Sequence, residues 1–251
     1  MQLVNLKYLF LTLAFAACKS VKIQKDSDRS LVTNISVLSN ARTVHIRDFG
    51  AVPDGITNST IAFQKASNFL QANGGTLIID SGIYIVGKQR FSGTFEAGSS
   101  YFAEPIIDIK NASAPIVIRG YKATLKAADG LKYGSFNPVT GKKDSIRTRS
   151  NQTDYYASAF GFVNIENCTS VSIEGVTLDG NSGKLDMGPA FNKLGNQLMA
   201  TGIRATNNKQ INIQDAYIHH CALDAIIIAW DGLTENHPIY PHTISNVKAV
   251  Y

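Results

Sequence analysis

An all-β fold, a parallel coil of short strands with one helix closing its N-terminal end, is what this sequence predicts. Three observations carry it: a helix-to-strand unit between Val44 and Gly87, a degenerate three-strand repeat after it, and an asparagine recurring at one corner of that repeat. A coil stacked in parallel leaves unpaired backbone and a bare apolar core at its end, so a helix laid across that end is a physical requirement as much as a pattern.

The helix-to-strand unit comes first. Ala62, Phe63, Ala66, Phe69 and Leu70 recur at helical spacing and give one buried stripe and one polar face. Asn58 or Ser59 can cap the start, and Asn73-Gly74-Gly75 tolerates positive φ, so the helix stops there and passes into a strand at Thr76–Ile79. A turn at Asp80-Ser81-Gly82 leads to a second strand, Ile83–Val86. Residues 58–73 are thus expected to form the cap. An αβ unit of a doubly wound fold would open the same way, but the chain after Gly87 lacks the regular helices such a fold needs.

The repeat is seen by laying IDIKNASAPIVIRGYKATL from Ile107, VNIENCTSVSIEGVTL from Val163 and IRATNNKQINIQDAYI from Ile203 over one another. In each, an alternating strand ends at an asparagine (Asn111, Asn167, Asn207). A polar turn, a second strand and a bent third strand come next. Stacking such units buries a column of Ile, Val and Leu that no single turn could bury. Asparagine tolerates the left-handed backbone and can stack in a hydrogen-bonded ladder, so these three are read as structural. Two insertions, 129–159 and 182–200, interrupt the stack; such excursions often wall a binding groove. Tyr133, Phe136, Tyr155 and Tyr156 are candidate sugar-stacking aromatics there, and pinning a long loop to the stack explains them equally well. The final run, HTISNVKAVY, reads as another strand with no closing cap, so a longer protein or a covering partner is expected.

The cap also carries a family resemblance. DFGA at 48–51, PDG at 53–55 and GGTLIIDSGIYIVG at 74–87 resemble the N-terminal signature of the pectate-lyase/polygalacturonase-like superfamily. The resemblance implies a right-handed single-stranded parallel β-helix with an N-terminal capping α-helix, and a protein that cleaves or binds polysaccharides.

Residues 1–17 read as a secretory signal, with Lys7 as the basic start and an apolar run from Tyr8 to Ala17 too short to span a bilayer. Phe15-Ala16-Ala17-Cys18 resembles the lipobox of bacterial lipoproteins, which implies lipid on Cys18; ordinary cleavage with Cys18 incidental is the other reading. Residues 18–43 then form a tether, rich in Ser, Lys, Asp and Asn and without periodicity, ahead of a domain at 44–251 whose cap is 44–87 and whose coils are 105–251. The expected setting is the cell envelope, as an outer-membrane lipoprotein or a periplasmic or extracellular protein. The membrane contact would run only through the lipid.

The formal charge is +5 and falls by one when Lys7 leaves with the signal. Such a balance suits an acidic, uronate-containing glycan. A nucleic-acid binder would show a denser basic stripe and an aromatic platform, so no nucleic-acid partner is expected. Lys142, Lys143, Arg147 and Arg149 fall in GKKDSIRTRS and read as a solvated loop. Of three cysteines, Cys168 and Cys221 remain beside Cys18. They fall at different corners of the repeat, no CxxC or close His/Cys cluster is present, and no metal site is expected.

The densest polar constellation is YIHHCALDAIIIAWD, Tyr217–Asp231, with Asp179-Gly180-Asn181 at a matching strand exit one coil earlier. Hydrolysis of a glycan uses two carboxylates at a set separation. A lyase needs a base for the proton α to a uronate carboxyl, with a cation or basic groups to stabilise the enolate. Asp179, Asp224 and Asp231 could supply carboxylates or hold Ca²⁺, and His219, His220, Arg204 or Lys209 a base. Asn181, Arg204 and Trp230 are candidate substrate contacts, with Tyr155 and Tyr156. Asp179-Gly180 is also a strong turn signal, Asp224 can cap a bend, and Trp230 suits packing as well as sugar stacking. Neighbouring strand residues point to opposite faces, so His219 and His220 reach one groove only if a turn separates them.

The polygalacturonase branch sharpens the comparison. Its strand ending YI, a short turn and Asp-Asp before an apolar strand resembles YIHHCALDAIII, but Leu223 stands at the first Asp position. The Asn-Thr-Asp expected a coil earlier is replaced by MATGI at 199–203. That branch's inverting hydrolase mechanism is therefore not expected. The sequence leaves three functions: a lyase or glycosidase acting on an acidic polysaccharide, a non-catalytic glycan-binding or adhesive β-helix, or the first part of a longer enzyme.

Overall fold

The cap begins with β1 (Thr43–His45), a 3-10 turn (Ile46–Phe49) and β2 (Asp54–Asn58), and continues through α1 (Thr60–Asn73) into β3 (Gly75–Ile78) and β4 (Gly82–Val86). These come from a computed structural model that describes residues 42–96, 99–144, 156–157, 161–189, 201–221, 224–231, 238 and 240–250. Cys18, Tyr155 and Leu223 lie outside the described residues, as do Arg147 and Arg149. Ala62, Phe63, Ala66 and Leu70 of the expected stripe are buried, and Phe69 is half-buried with its ring 5.8 Å from that of Phe49. The N-cap position is Ser59, whose hydroxyl turns to Val52, and the preceding Asn58 accepts the Thr60 N–H on its Oδ1 at 3.1 Å. At the far end Gly74 and Gly75 take φ of 65° and 103°, which stops the helix as its sequence predicts.

Four coils stack on the cap. The first holds β7 (Ile107–Lys110) and β8 (Ile116–Ala127), and the second β11 (Val163–Glu166) and β12 (Val171–Asp179). The third holds β14 (Ile203–Thr206), β15 (Ile211–Gln214) and β16 (Tyr217–His219), and the fourth β17 (Ile226–Ala229), β18 (His242–Ser245) and β19 (Lys248–Val250). Two parallel sheets result, β7-β11-β14-β17 and a larger one led by β1-β3-β8-β12-β15-β18, with β2-β4 and β16-β19 pairing beside β8 and β12. Like residues stack on like. Ile107, Val163, Ile203 and Ile226 share one register row, and Leu77, Ile118, Ile173, Ile213 and Ile244 another. From Leu77 to Ile213 that second row is buried, each side chain contributing about 2–3 kcal/mol by leaving water. This is the all-β parallel β-helix the repeat predicts.

The asparagine corner forms as expected in backbone and differently in side chain. Asn111, Asn167 and Asn207 take φ of 56°, 55° and 57°. Their N–H groups donate to Glu166, Thr206 and Ala229 of the next coil, at 2.9, 3.0 and 2.9 Å. The side-chain clamp belongs to Asn208, buried to 2% exposure: its Oδ1 accepts the Cys168 N–H at 2.8 Å and its Nδ2 donates to Ile165 O at 2.9 Å. A second left-handed column at the bend, Lys122, Gly175, Asp215 and Asn246, has no common residue type and so no sequence signature.

A lateral sheet, β13-β9-β10-β6-β5, was not expected from the sequence. It is built from a hairpin, β5 (Gln89–Glu96) and β6 (Ser99–Ala103), with β9 (Lys132–Ser135), β10 (Tyr156–Ala157) and β13 (Asp186–Met187) from the two insertions. Tyr133 and Phe136 are fully buried there, so they pin the insertion and offer no sugar platform. Tyr156 sits in β10, its backbone paired with Ser99 and Ser135. Lys132 and Lys143 both reach Asp186, at 2.8 and 2.7 Å, and hold its carboxyl below the usual carboxylate range. Cys168 and Cys221 are free, buried thiols at different corners.

Candidate functional site

The site grows out of the register of the large sheet. Lys126 of β8, Asp179 of β12 and His219 of β16 are paired residues on three consecutive coils. Adjacent parallel strands lie about 4.8 Å apart, so the three side chains stand in one row. They alternate with the inward residues Leu125, Leu178 and Ile218, which are buried, and so face outward.

Just past this row, one residue after His219 and two after Asp179, the backbone turns. Asn181 (φ 52°) and His220 (φ 50°) both take the left-handed conformation at this exit corner. That turn meets the condition under which two adjacent histidines reach one groove. The Nδ1 atoms of His219 and His220 lie 2.7 Å apart, and each is 3.5 Å from Asp179 Oδ1. Lys126 Nζ approaches the other carboxylate oxygen, Oδ2, at 3.9 Å. These three are the one group of three or more His, Cys, Asp and Glu ligand atoms within reach of one another among the described residues.

The surroundings fix the cluster. Asp179 Oδ1 accepts the Asn181 N–H at 3.0 Å. His219 is 14% exposed and lies against the Tyr217 ring, centroids 4.6 Å apart, while the Lys248 ammonium sits 5.2 Å from that ring's centroid. His220 is 56% exposed and is the member that solvent reaches most readily. Gly180 lets the next coil close in: a Cβ there would collide with the His220 carbonyl oxygen. Under the cluster, burial and then the Asp179 charge push the Cys221 thiol up to about 12, so it stays protonated and inert.

An open cleft of about 520 Å³ adjoins Lys126, lined also by Ile56, Asn58, Ile83, Ile85 and Asp129. Asp129 is tied to the cluster through Asn181, whose Nδ2 donates to Asp129 Oδ1 and to Ala127 O, both at 2.8 Å. Asn181, expected to contact substrate, is instead a buried clamp between coils.

The remaining expected site residues do not converge. Asp224 precedes β17 and Asp231 comes after it, at opposite ends of a four-residue strand. The Asp224 carbonyl accepts the Gly202 N–H at 3.0 Å, and the Asp231 N–H donates to Asn207 Oδ1 at 2.8 Å. No three carboxylates gather within reach of one another among the described residues. Arg204 stands on the smaller sheet in register with Asn164 and Ile227, its Nε donating to Thr206 Oγ1 at 3.4 Å. The Trp230 ring is stacked on Tyr240, 5.4 Å between centroids and 16° between planes, which is a packing contact. Lys126 was the residue sequence reasoning missed. Its signal was the register itself, since aligning LKAADG with LDGNSG places Lys126 over Asp179.

No family model and no curated protein matches the sequence. Among solved structures, the chain is similar to the A-module of mannuronan C-5 epimerase AlgE6 from Azotobacter vinelandii, at 14% identity and a TM-score of 0.44, over 82% of this chain and 44% of that one. The AlgE4 A-module of the same organism gives 17% and 0.36, over 74% and 42%. A protein of Parabacteroides merdae ATCC 43184, provisionally described as a glycosyl hydrolase, gives 16% and 0.31, over 82% and 97%. The chain spans less than half the length of either epimerase module.

Proposed function

We propose that this protein binds an acidic, uronate-containing polysaccharide along the outer face of its coils and cleaves it by elimination. The observation that carries the reading is the row Lys126–Asp179–His219 on three successive coils, with His220 turned in beside it. A chain of sugars laid across the coils meets basic and acidic groups in fixed order, next to an open cleft.

Elimination needs a base close to a carboxylate acceptor, and the cluster supplies both kinds of group. Two imidazole nitrogens 2.7 Å apart share one hydrogen bond when neutral, so one Nδ1 carries the proton and the donor ring keeps an unprotonated Nε2. That nitrogen takes the proton α to the uronate carboxyl. The electron pair moves into the carboxylate as an enolate, which Lys126 stabilises, and then forms the C=C bond as the β C–O bond breaks. The imidazolium returns the proton to the departing oxygen. Asp179 holds the ring pair in place and favours the transient imidazolium. A hydrolase would instead use two carboxylates spaced across the scissile bond, whereas the groups gathered around Asp179 are the two imidazoles.

Incubation with a panel of uronic and neutral polysaccharides tests this. The reading expects ultraviolet-absorbing unsaturated products from a uronic polymer. New reducing ends without that absorbance would overturn it in favour of hydrolysis, and binding without products in favour of an adhesive role. The same reading places the protein at the cell envelope through the signal-like residues 1–17 and Cys18, which labelling of the full chain with a fatty acid tests.

A further inference from the structure

We propose that Asp179 Oδ1, His219 Nδ1 and His220 Nδ1 form a binding site for a divalent transition metal of the zinc type, and that the metal controls the site by replacing the proton the two imidazoles share. Two nitrogens and one carboxylate oxygen are the donors such ions prefer, whereas Ca²⁺ and Mg²⁺ take oxygen.

The spacing suits it. An ion about 2.0–2.1 Å from each nitrogen in tetrahedral geometry sets the nitrogens about 3.3 Å apart. They stand 2.7 Å apart, and rotation of the half-exposed His220 ring supplies the difference. Each lies 3.5 Å from Asp179 Oδ1, close to the separation of two ligands spread around one ion. Three ligands gathered on one side leave the other side of the ion open to water or to a substrate oxygen. The carboxylate is already held: Oδ1 takes the Asn181 N–H, and Oδ2 faces Lys126. The Lys126 charge lowers affinity, which suits a reversibly bound ion better than a structural one. A metal on both Nδ1 atoms displaces the shared proton, which then sits on Nε2 of the donor ring, the nitrogen that otherwise serves as base. On the elimination reading, whose base the pair supplies, loading therefore stops cleavage.

The test uses the full chain stripped with chelator, titrated with Co²⁺ by visible absorption and with Zn²⁺ by calorimetry. The expected result is one ion per chain and a cobalt spectrum with a nitrogen-and-oxygen signature. His220→Asn keeps the left-handed backbone, since asparagine accepts it, and removes one ligand. It should lower affinity by at least the roughly 10–100-fold that losing a mere supporting partner costs. His45→Asn, at the cap, should leave binding unchanged. No cobalt spectrum, or a spectrum that His220→Asn leaves intact, overturns the proposal. Cobalt bound at this site with cleavage unimpaired keeps the site, overturns its control of cleavage and removes the histidines as base. Cleavage lost in His220→Asn with no metal bound to either protein supports elimination and rejects the metal.

Discussion

Two corners of the coil take the same left-handed backbone and use it differently. At the corner after the smaller sheet, three successive coils all place asparagine, and the adjoining Asn208 spends both ends of its amide on neighbouring backbone. At the exit corner one coil places Asn181, held through its Nδ2 on Ala127 O and Asp129 Oδ1, and the next places His220, whose ring points to solvent and to Asp179. Non-glycine residues with positive φ are uncommon, and the cheapest of them is asparagine. At the first corner the turn receives asparagine each time, while the bend column takes Lys122, Gly175, Asp215 and Asn246. At the exit corner the His220 ring also meets His219 and Asp179, which a turn alone does not require.

Breaking the first corner should have the largest effect on stability. Asn208→Ala leaves the Cys168 N–H buried without its partner and removes a bond from the Ile165 carbonyl, which costs about 3 kcal/mol. A chain of this size should then melt about 6–12 °C lower in a thermal scan. Gly180→Ala tests the exit corner's packing: a Cβ meeting His220 O and Cys221 Cα pushes the third coil outward. It should cost about 1–3 kcal/mol and also displace His220 from Asp179, lowering activity and stability together. Asn167→Ala keeps the coil's contacts but sets alanine at a φ of 55°, for about 1 kcal/mol; Asn167→Gly should be close to neutral.

These residues also mark how far the sequence could be read. The cap helix, the in-register apolar columns and the asparagine corner were legible because each rests on a local pattern: helical spacing, alternation, and a residue type tied to one backbone shape. The lateral sheet was not, because β6 pairs with β10 and β9 with β13, each across more than 50 residues, and no periodicity records that. Asp179, His219 and His220 were visible as chemistry-bearing residues. Their meeting was not, since it depends on the backbone reversing between residues 219 and 220, and one residue of turn position decides which face a side chain takes. Asp231 and Arg204 looked equally suitable in the sequence and were separated by topology alone.

Cys221 sharpens the comparison from beneath. Its thiol, raised to about 12 by burial and by Asp179, should react with iodoacetamide at pH 8 about 1,000-fold more slowly than an ordinary thiol. A group that holds its proton more tightly when folded stabilises the fold fully below the unfolded thiol's value near 9, and that stabilisation is lost as pH rises from there toward 12. Asp179→Asn should remove the charge contribution and bring alkylation at pH 9 forward, while leaving the thiol buried.

The central claim is that the exit corner is kept for chemistry and the asparagine corner for folding. It is tested most directly by one variant read twice: His220→Asn, followed by its thermal midpoint and by its rate of forming unsaturated product from a uronic polymer. The account predicts a midpoint within a degree or two of the parent and a rate lower by about 100-fold or more, the scale of a lost general base. A midpoint that falls sharply while the rate persists would contradict it, making His220 one more residue of the fold.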